Sequence, residues 1–219
     1  MLNLIDSELL PTRLQEQGLD IVTGSAASLE DNYVQQIVDK SRQPHITAYE
    51  GHEDVGTNKA PGRFRSIRDY RIWANNKDRL LLMLIDNANQ LDPDGTPDIG
   101  SLAWFGKRQH DLAPGRSVTF AMRNYAADKQ RQWAQYTGKG LAVPFMFASH
   151  QLARDIYPNE KLWLDIVEGN DASYTMCLRN GYQEVVRHND PSHDGQSRIV
   201  MVNDLALAPT ENIAFGKVA

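Results

Sequence analysis

Two glycines and a lysine precede an apolar helical run in the second half of the chain. The loop reads Tyr-Thr-Gly-Lys-Gly-Leu-Ala over residues 136–142, and the apolar run extends from Leu141 to Asp155. Glycine lets the backbone turn its N–H groups inward, and a helix N-terminus adds partial positive charge. This arrangement is typical of a phosphate or pyrophosphate site. An ordinary turn can have the same short sequence, so the loop by itself leaves both interpretations open.

A second group of reactive side chains lies between residues 43 and 77. Its first half is rich in histidines and acids: His45, Glu50, His52, Glu53 and Asp54. Their spacing matches no zinc template, so the sequence does not predict a metal site. We expect a polar surface segment that ends in a helix over Ser66–Ala74. A substrate-binding loop is the alternative, because long loops without a regular pattern are often functional.

The composition argues against several classes of function. The net charge of −5 argues against nucleic acid as a main partner, because binding by counterion release requires clustered Lys and Arg. The single cysteine, Cys177, excludes an internal disulfide and a cysteine-based zinc site. The longest apolar run, Leu80–Ile85, is too short to span a membrane, and Met1–Gln17 lacks the basic start of a signal peptide. We expect a cytoplasmic protein with one domain over residues 1–219.

Hydrophobic periodicity and turn residues predict a mixed α/β order. Strands are expected at Leu19–Thr23, Arg79–Ala88, Ile99–Lys107, Ser117–Tyr125 and Leu162–Val167, with a last hairpin over Tyr182–His188 and Arg198–Val202. The block 79–125 is typical of an antiparallel meander. A strand, a helix and a strand follow one another from 117 to 167, which implies a parallel pair with a helical crossover.

The helices are expected to begin and end at specific residues. Ser28 and Asp31 form an approximate capping box for a helix over Leu29–Ser41. Asn170 or Asp171 caps a later helix that runs to about Asn180. On the apolar helix between them in sequence, His150 falls opposite the apolar face, where we expect it to be solvated.

Two motifs near these helices are more specific. Val-x-x-Asn ends at Asn170, an amphipathic helix follows, and Gly181-Tyr182 stands eleven and twelve residues after the Asn. This pattern resembles the GNAT superfamily of acyl-CoA N-acyltransferases. Upstream, residues 137–142 are similar to the family's Arg/Gln-x-x-Gly-x-Gly/Ala signature, with Gly140 and Ala142 on its small positions. An alternative register places Gln135, Gly138 and Gly140 on the signature. The resemblance covers residues 79–206.

The resemblance implies a fold and a cosubstrate. The fold is a GNAT-like mixed, twisted sheet of about 6–7 strands flanked by helices, in which the central parallel strands 117–125 and 162–167 splay apart. Acetyl-CoA is the implied cosubstrate, with its pantetheine arm beside the backbone of Met122 and Arg123. Asn170 faces that arm from the other side. The pyrophosphate is expected on the loop formed by Thr137, Gly138, Lys139, Gly140, Leu141 and Ala142.

The chain departs from the family pattern at two positions. The family often has a tyrosine seven residues after the Asn, which protonates the leaving CoA thiolate. Cys177 stands there, and Tyr174 lies one turn earlier on the same face. A thiol with a reference pKa near ~8.5 can act as an acid, so both are candidates. Cys177 as a small buried hydrophobe is the alternative. Thr137 replaces the usual Arg or Gln, and Lys129 or Arg131 are candidates to approach the phosphates instead.

The implied reaction also needs a group that accepts a proton from the attacking amine. A buried carboxylate with a raised pKa suits this role. Asp86, Asp165 and Glu168 are the candidates. For Asp165, a carboxylate satisfied by the backbone or by an arginine is the alternative. A chain of water molecules is a further alternative for the proton acceptor, because positioning of the amine against the thioester supplies much of the rate.

These features predict an N-acetyltransferase that moves an acetyl group from acetyl-CoA to a primary amine by direct attack in a ternary complex. A catalytically silent acyl-CoA-binding or regulatory module is the alternative, because Cys177 and Thr137 depart from the pattern. The expected acceptor is a small-molecule or peptide amine. No metal, nucleic acid or membrane is expected as a partner, and the resemblance is compatible with a homodimer.

Overall fold

A computed structural model describes most of the chain between residues 3 and 205. The described residues are 3–4, 10–42, 64, 66–75, 79–90, 95–106, 111–113, 115, 117–124, 140–191 and 195–205. The helices are α1 (Thr12–Gln15), α2 (Asp31–Lys40), α3 (Ile67–Ala74), α4 (Ala142–Ile156) and α5 (Asp171–Arg179). The strands are β1 (Asn3–Leu4), β2 (Leu19–Ser25), β3 (Leu80–Gln90), β4 (Pro97–Gly106), β5 (Ser117–Asn124), β6 (Lys161–Val167), β7 (Gln183–Asp190) and β8 (Gln196–Asp204).

All of these strands belong to one mixed sheet with the order β1-β2-β3-β4-β5-β6-β8-β7. The pairs β2–β3, β3–β4 and β4–β5 are all antiparallel, which confirms the meander. Strand β6 is parallel to β5 and antiparallel to β8, and the β7–β8 hairpin closes that end of the sheet. The predicted mixed sheet with a parallel central pair is therefore confirmed. It has eight strands in the described residues, because the two-residue β1 joins the seven predicted strands.

The sheet is covered on both faces, which explains why its central strands are apolar throughout. In β3, Leu82 and Leu84 contribute to a core with β5, β6, α4 and the end of α5. The alternate residues Leu81 and Met83 contribute to a second core with α2 and α3. Side chains at i and i+2 share a face, so one continuous apolar run supplies both cores. We refer below to the α4–α5 face and the α2–α3 face.

Helix α2 is fixed to the sheet by buried polar contacts as well as by packing. Lys40 forms an ion pair with Asp98 and donates to the carbonyl of Ile99 at 2.6 Å. The Gln36 side chain accepts from the Ile99 amide at 3.2 Å and donates to the Pro97 carbonyl at 3.1 Å. Both ions are buried and hydrogen-bonded, so the loss of either one would leave an uncompensated charge.

The beginnings of α2 and α3 differ in how they are capped. The capping box at Ser28 is wrong: α2 begins at Asp31, and its N-cap residue Glu30 makes no side-chain cap. Ser28 belongs to a short 3₁₀ turn, where its hydroxyl donates to the Ser25 carbonyl at 3.1 Å. The helix predicted over Ser66–Ala74 is confirmed, and the Ser66 hydroxyl caps it by accepting from the Asp69 amide.

Candidate active site

The central parallel strands separate after a short region of pairing. Strands β5 and β6 are paired only where Ser117–Thr119 lies beside Lys161–Trp163. Beyond this point β5 stays paired with β4 as far as Asn124, and β6 stays paired with β8 as far as Val167. Each strand is thus held by its outer neighbour while the two diverge. The predicted splay is confirmed, and it leaves a wedge-shaped opening in the middle of the sheet.

Helix α4 packs on the α4–α5 face of the sheet, in the core that includes Phe120 of β5. Gly140 has a φ of 66°, in the left-handed region that glycine adopts without strain. Leu141 is buried and Ala142 begins the helix. The other residues of the expected cradle, Thr137, Gly138 and Lys139, lie outside the described residues, as do Lys129 and Arg131. The His45–Asp54 segment also lies outside them.

An arginine from the N-terminal part of the chain lies against Gly140. A Cβ added to Gly140 would lie 3.7 Å from Nη1 and 3.8 Å from Cζ of Arg13. Helix α1, which carries Arg13, contacts α4. A guanidinium beside a helix N-terminus brings two positive groups together, and an anion between them would bind to both. The surroundings of Gly140 therefore fit a phosphate group.

Helix α5 follows directly after β6 in the chain. The Asn170 side-chain oxygen accepts from the Ser173 amide at 3.2 Å, so Asn170 is the N-cap residue, as predicted. Gly181, with a φ of 84°, ends the helix. The Tyr182 amide donates to the Cys177 carbonyl and the Gly181 amide to the Leu178 carbonyl, both at 3.1 Å. These two bonds form a Schellman motif. The Asn-to-Gly spacing thus has a local explanation, since it fixes both ends of α5.

The two candidate acids on α5 have different surroundings. Cys177 is 1% exposed within the core of the α4–α5 face, and burial raises the pKa of its thiol to about 12. Tyr174 is half-buried, and its hydroxyl donates to Glu184 at 3.0 Å. That hydrogen bond is the main reason why the pKa of Tyr174 is raised. Both groups are protonated at neutral pH, but only the Tyr174 hydroxyl lies outside the core.

Glu168 belongs to an exposed network beside Tyr174. It accepts from the Ser197 hydroxyl at 2.5 Å and from the Arg187 guanidinium. These hydrogen bonds, the one from Ser197 first, lower the pKa of Glu168. Arg187 also donates to Glu184, at 2.8 Å and 3.1 Å, and so connects Glu168 with the partner of Tyr174. A lowered pKa is the opposite of what a proton acceptor requires.

The other two candidate carboxylates lie in the sheet itself. Asp86 is buried in β3 opposite Asp98 of β4, two strands away from β5. Asp165 lies in β6 at the opening, and Arg198 Nη1 is 3.9 Å from its carboxylate. This contact fits the alternative interpretation of Asp165, in which an arginine satisfies its carboxylate.

His150 is buried, and the expectation that it is solvated is wrong. Its side chain is 3% exposed on the α4–α5 face, with Nε2 3.2 Å from the Tyr182 hydroxyl oxygen. The Phe120 ring lies edge-on to the imidazole at 5.3 Å. Burial, with a smaller contribution from Arg154, lowers the pKa of His150 to about 3. The helical projection failed because α4 packs against α1 and α5 as well as the sheet, so more than one side of it is buried.

Two features, a metal-binding group and a membrane-spanning helix, are absent from the part of the chain that the structure describes. No group of three His, Cys, Asp or Glu side chains there is arranged to hold a metal ion. No described helix is long and apolar enough to cross a membrane.

No protein-family model matches the sequence, and no curated protein matches it. Solved structures do resemble the fold over most of its length. An uncharacterized protein (bh2621) from Bacillus halodurans has a TM-score of 0.61 and 12% identity, covering 94% of this chain and 91% of that chain. A spermidine N-acetyltransferase SpeG chimera from Vibrio cholerae and hSSAT has a TM-score of 0.56 and 13% identity, covering 85% and 96%. A GNAT-family acetyltransferase from Bacillus anthracis has a TM-score of 0.55 and 10% identity, covering 85% and 95%. The chain has the GNAT fold.

Within this GNAT fold, two features of the site were missed by sequence reasoning. Arg13 reaches Gly140 from a helix of four residues that is more than a hundred positions away in sequence. No local pattern connects the two positions, so no sequence signal could have found the contact. The burial of His150 was weakly indicated by the sequence, because residues on several sides of α4 are apolar.

Proposed function

We propose that the chain is an N-acetyltransferase that moves an acetyl group from acetyl-CoA to a primary amine. The observation that carries this proposal is the opening where β5 and β6 diverge, with α4 following β5 and α5 following β6 in the chain. The shared fold supports it, because several structures with that fold carry the names of N-acetyltransferases. The acceptor is a small-molecule or peptide amine, and we place the enzyme in the cytoplasm as a single domain that can form a homodimer.

The cosubstrate is proposed to enter from the α4–α5 face. Its pantetheine arm lies in the opening beside the backbone of Met122 and Arg123, on the side of β5 that faces away from β4. Asn170 lies at the other side of the arm. Because its side-chain oxygen caps α5, its NH₂ group is the one that donates to the arm.

The pyrophosphate is proposed to lie on the N-terminus of α4. Gly140, Leu141 and Ala142 supply its described part, and Thr137, Gly138 and Lys139 complete the cradle. Arg13 contributes the cationic contact that Thr137 does not provide. Glycine at position 140 keeps the space beside the guanidinium open, because a side chain there would fill it.

The chemistry itself relies mainly on positioning. The amine nitrogen attacks the thioester carbon, the C–S bond breaks, and the CoA thiolate takes up a proton. Amides of β5 near Met122 stabilise the oxyanion. We favour Tyr174 as the proton donor to the thiolate, with Glu168 acting indirectly through Arg187 and Glu184. Cys177 remains a candidate for this role only if its thiol can be reached from the opening.

The burial of Cys177 also favours the alternative of a silent acyl-CoA-binding module, because the usual acid position lies within the core. Purified protein incubated with acetyl-CoA and a panel of amines, including spermidine, amino acids, aminoglycosides and peptides, separates the two. We expect release of free thiol that depends on one class of amine. Acetyl-CoA binding without turnover on any amine would support the silent module. Absence of a CoA-dependent thermal shift would contradict both.

A further inference from the structure

Four charged or titratable side chains form a group on the α2–α3 face of β6, β7 and β8. Strand alternation places Asp165 on the same face as Trp163, which packs against Val200 and Val202. Arg198 lies two residues before Val200 and shares that face. From β7, His188 and Asp190 complete the group, which we call the carboxylate array: Asp165, His188, Asp190 and Arg198.

The members of the carboxylate array are close enough to act together. His188 Nε2 is 3.6 Å from one Asp165 oxygen, and Arg198 Nη1 is 3.9 Å from the other. Arg198 Nε is 3.5 Å from Asp190. The side chains of Asp165 and His188 are 18% and 20% exposed, and that of Arg198 is 11% exposed. The array is therefore partly sheltered from water, yet it can be reached from the surface.

The array borders the opening between β5 and β6. Parallel pairing ends at Trp163, and Asp165 is the next residue of β6 on the same face. Ala121 of β5 packs against the core of the α2–α3 face, so the two residues flank the opening on one side. Gly140 and Cys177 belong to elements on the opposite face. A thioester placed in the opening would have the phosphate features on one side and Asp165 on the other.

We propose that Asp165 is the catalytic proton acceptor for the amine, and that His188 and Arg198 are positioning residues that hold its carboxylate. This inference rests on the proposed function. The acceptor ammonium gives one proton to Asp165, from which it passes to solvent. The neutral amine forms the C–N bond as the C–S bond breaks. The nitrogen then loses its second proton to solvent, the thiolate receives one from Tyr174, and the Tyr174 phenolate regains a proton from solvent, so that each turnover releases one proton.

The charge of the array selects the class of acceptor. Two carboxylates face one guanidinium, so these three groups together carry a net negative charge. They attract a cationic primary amine and disfavour an acceptor with an anionic group next to the amine. Among polyamines, aminoglycosides and acidic amino acids, we therefore expect the first two classes to react and the last to fail.

The test compares Asp165→Asn with Asp204→Asn. Asp204 lies at the far end of the same β6–β8 pair, 3.5 Å from Lys161, and provides a matched change outside the array. Asp165→Asn is expected to lower kcat/KM for the amine about 10²- to 10⁴-fold, the usual contribution of a general base. The acetyl-CoA-dependent thermal shift stays as in the wild type. The Asp204→Asn variant stays within about twofold of wild-type activity.

His188→Gln is the second variant, and it tests a positioning role. We expect a fall of about tenfold in kcat, a displaced acid limb of the pH–rate profile and an unchanged KM for acetyl-CoA. If the wild type is active and both array variants match Asp204→Asn in rate and pH profile, this proposal is overturned while the proposed function stands. If the wild type acetylates no amine, the two fail together. Thermal unfolding of each variant identifies a loss of rate that comes from misfolding.

Discussion

The two faces of the opening contain two histidines in opposite environments. On the α4–α5 face, His150 is buried against Phe120 and Tyr182, and its pKa is lowered to about 3. On the α2–α3 face, His188 lies beside the carboxylate of Asp165 and is partly exposed. Burial makes the first a neutral packing residue, whereas the second lies 3.6 Å from a carboxylate and within reach of solvent. The face of the sheet on which each of these two histidines lies therefore determines its surroundings.

The largest effect on the stability of the protein is expected from replacing the buried histidine, His150. His150→Ala leaves a cavity and removes the partner of the buried Tyr182 hydroxyl, which should lower the free energy of unfolding by about 2–4 kcal/mol. His188→Ala, at a partly exposed edge strand, should lower it by less than about 1 kcal/mol. Urea denaturation measures both. Equal losses for the two variants would remove the distinction between the faces.

Gly140→Glu tests the phosphate end of the same opening. The carboxylate would occupy the space beside Arg13 and repel a pyrophosphate, so the Kd for acetyl-CoA should rise at least about 100-fold, equal to about 2.7 kcal/mol. Gly115→Glu is the control, because Gly115 also has a positive φ of 74° and nothing lies within 4 Å of an added Cβ. Calorimetric titration with acetyl-CoA gives the Kd. Unchanged binding in the Gly140 variant would refute this position for the pyrophosphate.

The lowered pKa of His150 predicts an acid-sensitive stability. In the unfolded chain the imidazole takes up a proton below about pH 6.5, whereas in the folded protein it does so only near pH 3. The unfolded state therefore binds more protons between these values, and stability falls as the pH falls through this window. Between pH 7 and pH 5 this residue should cost the wild type about 2 kcal/mol.

His150→Gln provides the comparison, because an amide keeps a polar group near Tyr182 and does not titrate. Urea unfolding of the two proteins at pH 7 and pH 5 should show the smaller pH dependence in the variant. An identical dependence in both would mean that folding does not lower the pKa of His150.

The smallest effect is expected from Arg13→Ala. Removal of an exposed guanidinium beside Gly140 should raise the Kd for acetyl-CoA about threefold to tenfold, with a weaker dependence of binding on salt. Arg179→Ala removes an exposed arginine from the last turn of α5 and serves as the control. If both variants bind acetyl-CoA as the wild type does, Arg13 has no part in holding the phosphates.

Sequence patterns predicted the positions of the helices and strands better than the contacts between distant segments. Continuous apolar runs such as Leu80–Ile85 and the cap residues Asn170 and Gly181 act within a few positions, so strands and helix ends were placed within a few residues. The contact between Arg13 and Gly140 and the burial of His150 depend on packing between distant segments. Local periodicity does not contain that information. The same holds for Asp165, whose partners come from two later strands.

The length of helix α5 is fixed by the capping residues at its two ends. Asn170 fixes the first turn and Gly181 the last, so the number of residues between them determines the direction in which each side chain points. One inserted residue would rotate the following part of the helix by about 100°. Cys177 would then leave the core, while the Tyr182 ring would lose its place beside His150. Sequences that share this architecture should therefore tolerate substitutions along α5 far better than a change in its length.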